Sequence, residues 1–270
     1  MIPKRHRSGV FLFCEAVIKI MRILLTNDDG IYAEGIFALH QELKKIGSVT
    51  VVAPDSERSS VGHGITLAHP IWVNKVRRKG KFFGFGISGT PADCVKFATS
   101  VLLKRKPDLV VSGINLGPND GCSVFYSGTI AGAREGAILG IPSIAVSLAT
   151  FINPDFSYAA KFIAKLAKRV PQMQLPKRTF LNVNVPSARV KEIKGVRITT
   201  QGTVPIHGSF TKRADPNLRT YYWMTGKPPP IKNDLKVDTY ALNKNYITIT
   251  PVHCDMTDYD FMTQLTKWKI

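Results

Sequence analysis

From Met21 onward, short runs of apolar residues alternate with longer segments in which apolar residues recur at helical spacing. The short runs predict buried strands, and the longer segments predict amphipathic helices. The strands fall at residues 22–26, 48–53, 108–112 and 144–147, and the helices at 33–46, 91–103 and 129–139. Apolar strands that alternate with helices are typical of a parallel sheet covered on both faces. The pattern therefore predicts an α/β fold with a Rossmann-like, doubly wound and mostly parallel sheet.

Further elements accompany this pattern. Residues 71–76 and 81–87 predict two antiparallel strands joined by a turn at Lys79-Gly80. After about residue 150 the rhythm changes. The elements predicted there are a helix at 158–169, strands at 180–185, 196–200 and 246–250, and a terminal helix at 258–268.

The stretch 202–245 has few signals of regular structure and contains Pro205, Pro216 and the run GKPPP at 226–230. A loop of that length without secondary structure is uncommon inside a compact domain. We therefore expect a protruding β-hairpin arm that packs on another subunit.

The patterns predict three parts of the chain. Residues 1–20 are expected to form an N-terminal extension outside the fold, because Met21 stands directly before a strong strand. A secretory signal is disfavoured, because Glu15 interrupts the apolar stretch and no small-residue cleavage site follows it. Residues 21–200 form the core. Residues 201–270 contribute the arm and a C-terminal strand and helix, which we expect to serve oligomerisation. No uninterrupted apolar run reaches the roughly 18 residues of a transmembrane helix, so no membrane association is expected.

The formal net charge of +18 suggests, by itself, a protein that binds nucleic acid or an anionic membrane. The charge is unevenly distributed: residues 151–270 hold 19 basic and 8 acidic residues, whereas residues 21–150 hold 14 and 10. No arginine-rich tail or repeated basic helix occurs, which disfavours nucleic-acid binding. The four cysteines are widely spaced and form no CxxC pair, which favours a reducing, cytoplasmic compartment.

The motif Asn27-Asp28-Asp29-Gly30 follows the first predicted strand. Ligands of open α/β sheets gather at the carboxyl ends of the strands. Two adjacent carboxylates repel each other, and their hard oxygens suit Mg²⁺ or Mn²⁺. In the structural alternative, Asp28 caps the next helix and Asp29 with Gly30 forms a turn. The motif alone leaves both interpretations open.

Two further polar loops follow predicted strands. The loop at 54–64 is rich in hydroxyl groups, and a solvated loop is the alternative interpretation. In the loop at 112–121, Asn115 offers a neutral oxygen to a cation. Three strand ends therefore deliver polar groups to one edge of the predicted sheet.

The tripeptide Ser127-Gly128-Thr129 opens a predicted helix, where backbone N–H groups and the helix dipole favour a phosphate. An ordinary N-cap formed by Ser127 or Thr129 is the alternative. His63 and His253 lie near predicted strand ends, and structural roles are the alternative for both.

Other phosphate-binding signatures are absent or misplaced in the sequence. The segment GFGISG at 84–89 matches GxGxxG, but it does not follow the first strand. No GxxxxGK[ST] loop occurs, and no aspartate ends the strand at 108–112, where a phospho-accepting receiver domain would carry one.

Taken together, the motifs resemble the SurE family, the stationary-phase survival proteins that act as metal-dependent nucleotide phosphatases. The matching segments are MRILLTNDDGIYAEGI from Met21, VVAPDSERS from Val51, GTPADCV from Gly89, PDLVVSGINLGPN from Pro107, YSGTIAGAREG from Tyr126 and ITITPVHCD from Ile247. The resemblance runs from Met21 to near the C-terminus and is specific because the segments occur as an ordered set.

The resemblance implies a set of site residues. One divalent metal ion per subunit, Mg²⁺ or Mn²⁺, would be held by Asp28, Asp29, Ser59 and Asn115. The substrate phosphate would be held by Asn119, Ser127, Gly128 and Thr129. Ser60 stands where family members often have glycine, which keeps the ligand serine but puts the path of its loop in question.

The resemblance also implies an activity and an assembly. The activity is a 5′-nucleotidase that hydrolyses nucleoside 5′- and 3′-monophosphates, with short polyphosphate as a further substrate in some members. The assembly is a homodimer or homotetramer in which C-terminal elements are exchanged.

The mechanism expected from these residues is metal-assisted hydrolysis without a phosphoenzyme. Asp28 would orient or deprotonate the attacking water, and Asn119 with the amides at 127–129 would stabilise charge on the phosphoryl group. A covalent aspartyl-phosphate is disfavoured because the two adjacent acids lack DxD spacing. The alternative functions are a non-catalytic basic protein that binds anions or nucleic acid, and a structural oligomerisation protein.

Overall fold

The computed structural model of the chain describes residues 20–203, 208–226 and 233–268. The extension predicted at 1–20 lies outside the described residues except for Ile20, and so do Pro205 and residues 227–230 of the predicted arm.

Strands and helices alternate through most of the described chain. The strands are β1 (Met21–Thr26), β2 (Gly47–Pro54), β3 (Val73–Arg78), β4 (Lys81–Ile87), β5 (Leu109–Leu116), β6 (Ser143–Ala149), β7 (Thr179–Pro186), β8 (Val196–Ile198), β9 (Ser209–Ala214), β10 (Thr220–Thr225) and β11 (Ile247–His253). The α-helices are α1 (Glu34–Leu43), α2 (Pro91–Phe97), α3 (Gly128–Ile138), α4 (Ser157–Arg169), α5 (Asp238–Asn243) and α6 (Tyr259–Leu265).

Nine of these strands form one mixed sheet in the order β3-β4-β2-β1-β5-β6-β7-β11-β8. The six strands from β4 to β7 in this order are parallel, whereas β3 and β11 run antiparallel to β4 and β7. The chain leaves β1 for β2 on one side and later crosses to β5 on the other. The carboxyl ends of β1 and β5 therefore form a topological switch point, where ligands of open α/β sheets bind. The predicted doubly wound sheet is confirmed.

Alternation along β1 shows why this strand is central. Ile23 and Leu25 pack in one cluster with Ile36 of α1 and Ile163 of α4, whereas Leu24 packs with Val95 of α2 on the other face. Successive side chains of a strand point to opposite faces, so a strand between two helical layers must be apolar at every position. Each fully buried aliphatic side chain of this kind contributes about 1.5–3 kcal/mol to folding.

Most elements differ from the predictions by up to three residues at an end, and two differ by more. The strand predicted to end at residue 112 continues to Leu116, because the pairing of β5 with β6 shifts register between Ser112 and Asn115. Asn115 is therefore held in a strand and not in a loop. The helix predicted at 91–103 is α-helical only to Phe97 and continues as a π-helical segment at Ala98–Leu102.

The predicted arm is a β-hairpin, formed by β9 and β10 as a separate two-stranded antiparallel sheet. Every residue of both strands is exposed. The chain then returns to the main sheet, where β11 lies between β7 and β8. The division at residue 200 and the role of residues 201–270 in oligomerisation stay predictions.

Cys94, Cys122 and Cys254 are free thiols. Across the described ranges, no helix has the length and apolar character needed to cross a membrane.

Candidate active site

Asp28 and Asp29 follow β1 directly at the switch point. They stand beside a cavity of about 250 Å³ formed by the ends of β1 and β5, the loop after β2 and the start of α3. Its polar lining residues are Asp28, Ser59, Ser60, Asn115, Asn119, Ser123, Tyr126 and Ser127. The structure therefore brings residues from all the predicted segments to one edge of the sheet.

The Asp28 carboxylate is buried, with 4% exposure, at the N-terminus of α3. It accepts a hydrogen bond from the Thr129 hydroxyl. Gly128 permits this approach, since a Cβ there would stand only 2.8 Å from the Asp28 Cβ. Asp28 thus packs against the helix start that the sequence suggested for phosphate, and Thr129 holds it there.

Burial raises the pKa of Asp28, and hydrogen bonds from Thr129 oppose this shift. Burial, followed by the charge of Asp28, raises the pKa of Asp29 to about 7. The Leu116 backbone N–H acts in the opposite direction, since it donates to Asp29 Oδ2 at 3.2 Å. The two acids therefore share a poorly solvated edge where a second negative charge is costly.

A divalent cation fits this pair of acids. Among the ion pairs of the described residues, none joins a Lys, Arg or His to Asp28 or Asp29. No cluster of three or more His, Cys, Asp or Glu side chains suited to a metal occurs in the described part of the chain. A cation here would therefore complete its coordination with neutral oxygens, and Ser59 and Asn115 line the same cavity.

The Asn115 side chain is oriented by its own amide nitrogen. Its Nδ2 donates to the Gly117 carbonyl at 2.7 Å. Because the amide nitrogen is committed, Oδ1 is the atom left for a ligand.

The hydroxyl of Ser59 donates to Glu57 Oε1 at 2.6 Å. Glu57 also adds to the charge that raises the pKa values of Asp28 and Asp29, after burial and other causes. Our reading of the sequence missed Glu57, although an acid two residues before a predicted ligand serine was a visible signal. Ser60 has a φ of +58°, a left-handed conformation that glycine adopts at less cost. This conformation fits the glycine that the resemblance led us to expect at the position.

Asn119 is held by a buried polar network that the sequence analysis also missed. Its backbone N–H donates to Asn184 Oδ1 at 2.8 Å, and its Nδ2 donates to Ser147 Oγ at 2.8 Å. Its carbonyl accepts from Asn182 Nδ2 at 2.7 Å. Polar residues inside the apolar strands β6 and β7 were the available signal, because buried polar groups need partners. The network fixes Asn119 at the wall of the cavity.

Ser127 is the N-cap of α3, since its hydroxyl accepts from the Ile130 N–H at 3.1 Å. It also lines the cavity. The first N–H groups of a helix have no partner within the helix, so the start of α3 offers donors to an anion. The side chains of Ser127 and Thr129 are thus engaged within the protein. The Ser127 N–H donates to the Ser123 carbonyl at 3.2 Å, and the Thr129 backbone N–H hydrogen-bonds to Asp28. Among the hydrogen bonds of the described residues, the Gly128 N–H is the amide of 127–129 left for a phosphate.

The two histidines have different surroundings. His63 contacts the buried Glu135 of α3. His253 is exposed and accepts from the Asp255 backbone N–H at 3.1 Å. Neither lines the cavity.

The fold and this site define a class: a doubly wound α/β protein that pairs two carboxylates with a helix N-terminus at its switch point. The family model described as Survival protein SurE matches residues 23–207, and the chain belongs to the SurE family.

Similar proteins cover almost the whole chain. The chain is 47% identical over 253 residues to "5′-nucleotidase SurE" of Chlorobium phaeobacteroides, a match that covers 94% of this chain and 98% of the relative. It is 48% identical over 251 residues to the protein of the same name from Alkaliphilus metalliredigens, covering 91% and 97%. The crystal structure of the SurE protein from Aquifex aeolicus matches with a TM-score of 0.80 and 41% identity, covering 91% of this chain and 98% of that one. The predicted family membership is confirmed.

Proposed function

We propose that this protein is a divalent-metal-dependent 5′-nucleotidase, which hydrolyses nucleoside 5′-monophosphates to nucleoside and phosphate. The observation that carries the proposal is the adjacent pair of buried Asp28 and half-buried Asp29, which has no cationic partner among the described ion pairs and lies beside a helix N-terminus. Relatives named 5′-nucleotidase SurE support it.

The residues that would hold the metal are Asp28, Asp29, Ser59 and Asn115. Their carboxylate, hydroxyl and amide oxygens suit Mg²⁺ or Mn²⁺. When bound, the ion supplies Lewis-acid activation of the phosphoryl group and the attacking water.

The chain's own residues perform the remaining steps. Asp28 orients the attacking water and accepts its proton. Burial raises the pKa of Asp28, which favours proton uptake, and the hydrogen bond from Thr129 fixes the orientation of the carboxylate. Asn119 and the backbone at 127–129, in which the Gly128 N–H is the amide not engaged elsewhere, stabilise the charge that develops on the phosphoryl oxygens. The phosphoryl group passes directly to water as its bond to the nucleoside 5′-oxygen breaks, the leaving oxygen takes up a proton from solvent, and no aspartyl-phosphate forms.

Wider substrate use and assembly are part of the same proposal. Nucleoside 3′-monophosphates and short polyphosphate present the same terminal phosphate, and the net charge of +18 attracts such anions. The exposed strands β9 and β10 support a homodimer or homotetramer. The free thiols at Cys94, Cys122 and Cys254 suit a reducing, cytoplasmic compartment.

The decisive experiment measures phosphate release from a panel of nucleoside 5′- and 3′-monophosphates and from short polyphosphate. It compares the wild type, Asp28→Asn and the control Asp260→Asn, an exposed acid of α6, with and without a chelator. We expect turnover that needs Mg²⁺ or Mn²⁺ and falls at least 100-fold in Asp28→Asn only, on the scale typical of lost acid–base catalysis. Chelator-insensitive turnover would contradict the metal site. Salt-sensitive anion binding that survives both chelation and Asp28→Asn, without turnover, would favour the non-catalytic alternative.

A further inference from the structure

Phe151 is an exposed aromatic residue beside the candidate active site. It follows β6 and is 73% exposed. Its ring lies over Gly117, since a Cβ on that glycine would be 2.3 Å from a ring carbon. Gly117 in turn accepts the hydrogen bond from Asn115. The ring is therefore fixed next to a residue of the site while most of its surface faces solvent.

The ring also borders two cavities. The first is the site cavity of about 250 Å³, which is lined by Asp28 and Ser127 among others. The second has a volume of about 390 Å³. Phe151 and Pro118 line both, so the two cavities adjoin at the ring. The second cavity has both polar and apolar walls, and its polar lining residues are Asp120, Thr150, Ser187, Asn243 and Asn245.

The size of the first cavity limits what it can hold. Pockets that enclose a whole small molecule usually measure about 300–1,000 Å³. At about 250 Å³, the site cavity suits a phosphate and part of a sugar, so the rest of a nucleotide must extend beyond it. Phe151 lies at the boundary between the two cavities, where the rest of the nucleotide would leave the first one.

We propose that the base of a nucleoside monophosphate stacks on Phe151, with the phosphate at Asn119 and the start of α3 and the base extending toward the second cavity. This inference rests on the proposed function, because it assigns the substrate's base to the same site. Every base has a π-face, so an aromatic platform holds purines and pyrimidines without reading their hydrogen-bonding edges. Phe151 has no polar group, which predicts broad base tolerance with tighter binding of the larger purines.

Tyr126 is the other exposed aromatic residue of the site cavity, but of the two cavities it lines only the first. It directly precedes the N-cap Ser127, so it lies at the phosphate end. Phe151 is therefore the better platform for the base.

The test compares two substrates that share a 5′-phosphate and a ribose but differ in the base: AMP and ribose 5-phosphate. In Phe151→Ala, we expect KM for AMP to rise about tenfold, on the scale of a lost base–aromatic stack. We expect kcat/KM for ribose 5-phosphate to change by less than about twofold. Phe151→Tyr, which keeps the ring, should behave like the wild type with both substrates. Phe82→Ala, at an exposed ring on β4, is the matched control and should change neither value.

Equal losses with both substrates would overturn the proposal, because they would show a structural role for the ring. Unchanged kinetics with AMP would overturn it as well. Calorimetric titration of adenosine gives an answer independent of turnover, and binding should weaken about tenfold in Phe151→Ala. If the wild type hydrolyses neither substrate, the proposed function fails, and the adenosine titration still decides whether Phe151 binds a base.

Discussion

The Nε2 atom of His63 lies 2.9 Å from a carboxylate oxygen of Glu135, a residue of α3 that is only 4% exposed. Lys96 of α2 donates to the other carboxylate oxygen at 3.1 Å. His63 belongs to the loop that carries Ser59, so this contact ties the loop to both helices on one face of the sheet. The contact gives an otherwise solvated loop a fixed point four residues from a predicted metal ligand.

Replacement of Glu135 by Gln should lower stability in a pH-dependent way. Burial opposes ionisation of Glu135, but the hydrogen bonds from His63 and Lys96 outweigh it and hold its pKa below the ordinary value. Because the pKa of Glu135 is lower in the folded state, its ionised carboxylate stabilises the fold at pH values above its pKa in the unfolded chain, about 4.3. This stability is lost as the pH falls through the folded-state pKa.

Urea unfolding of Glu135→Gln at pH 7, 5 and 4 checks this expectation. The variant should lose about 2 kcal/mol of unfolding free energy at pH 7 and show a shallower decline than the wild type below pH 5 or so. Glu42→Gln, which removes a surface ion pair with Lys45, should cost less than about 1 kcal/mol. Parallel pH profiles for the wild type and Glu135→Gln would contradict the assignment.

Replacement of Thr129 by Val should weaken the site while leaving the fold intact. The variant loses the hydroxyl that donates to the buried Asp28, so the carboxylate loses an orienting partner. We expect kcat to fall about tenfold and Mn²⁺ binding, measured by calorimetry, to weaken several-fold. Thr99→Val removes a helix hydroxyl that bonds to Val95 O and should alter neither quantity. Normal metal affinity in Thr129→Val would mean that Asp28 is oriented by other groups.

Replacement of Gly128 by Ala tests the close approach of Asp28 to α3. The new Cβ would stand 2.8 Å from the Asp28 Cβ and 3.0 Å from Oδ2, so the carboxylate must move. Alanine otherwise favours a helix. We expect metal affinity to fall at least tenfold with a change of less than about 2 kcal/mol in unfolding free energy. Retained affinity together with retained stability would refute the close packing.

Replacement of Ser60 by Gly should leave the fold as stable as before or stabilise it by up to about 1 kcal/mol, because φ at this position is +58°. Ser60→Val should cost about 1–3 kcal/mol, since a β-branched residue is poorly tolerated there. Gln174→Gly, at φ +48° in another loop, is a matched control for the glycine effect. Thermal unfolding of all three variants checks the order, and a valine variant as stable as the glycine variant would contradict the left-handed geometry.

The β9–β10 hairpin should carry subunit contacts through its apolar residues. Phe210 and Met224 are paired across the two strands and are both exposed. In the double variant Phe210→Ser with Met224→Ser, light scattering should give a smaller mass than for the wild type. Arg213→Ser, a polar change on the opposite face of β9, should leave the mass unchanged. An unaltered mass in the double variant would place the subunit contact elsewhere.

Periodicity predicted the sheet well because the central strands are apolar on both faces, as in β1. Periodicity did not predict the ends of elements that depend on pairing with a strand distant in sequence. The extension of β5 to Leu116 follows from a register shift against β6, and a single strand's sequence carries no record of its partner's register. Short α5 was hidden for a similar reason, since its buried Asp238 accepts backbone bonds from Gly121 and Gly202, which lie far away in sequence.

The sequence identified most residues of the candidate site but not the hydrogen bonds between them. Asp28 and Asn115 were visible as polar residues at strand ends. That Thr129 bonds to Asp28 requires knowing that α3 starts next to the end of β1, a separation of 101 residues along the chain. The network of Asn182 and Asn184 around Asn119 was missed because such asparagines look like interruptions of a strand until their partners are known.

The register shift in β5 places Asn115 on the same rigid framework as the two acids. Asp28 and Asp29 continue from β1, and Asn115 lies within β5, its hydrogen-bonded neighbour in the sheet. Ser59 comes from a loop farther from the sheet, since it lies five residues after β2 ends at Pro54, whereas Asp28 lies two residues after β1 ends at Thr26. Folding of the sheet would therefore preorganise the Asn115 donor and hold the two acids close to it, and the proposed metal site would need its largest adjustment at Ser59. The contact of His63 with Glu135 would limit that adjustment, because it anchors the loop four residues after Ser59.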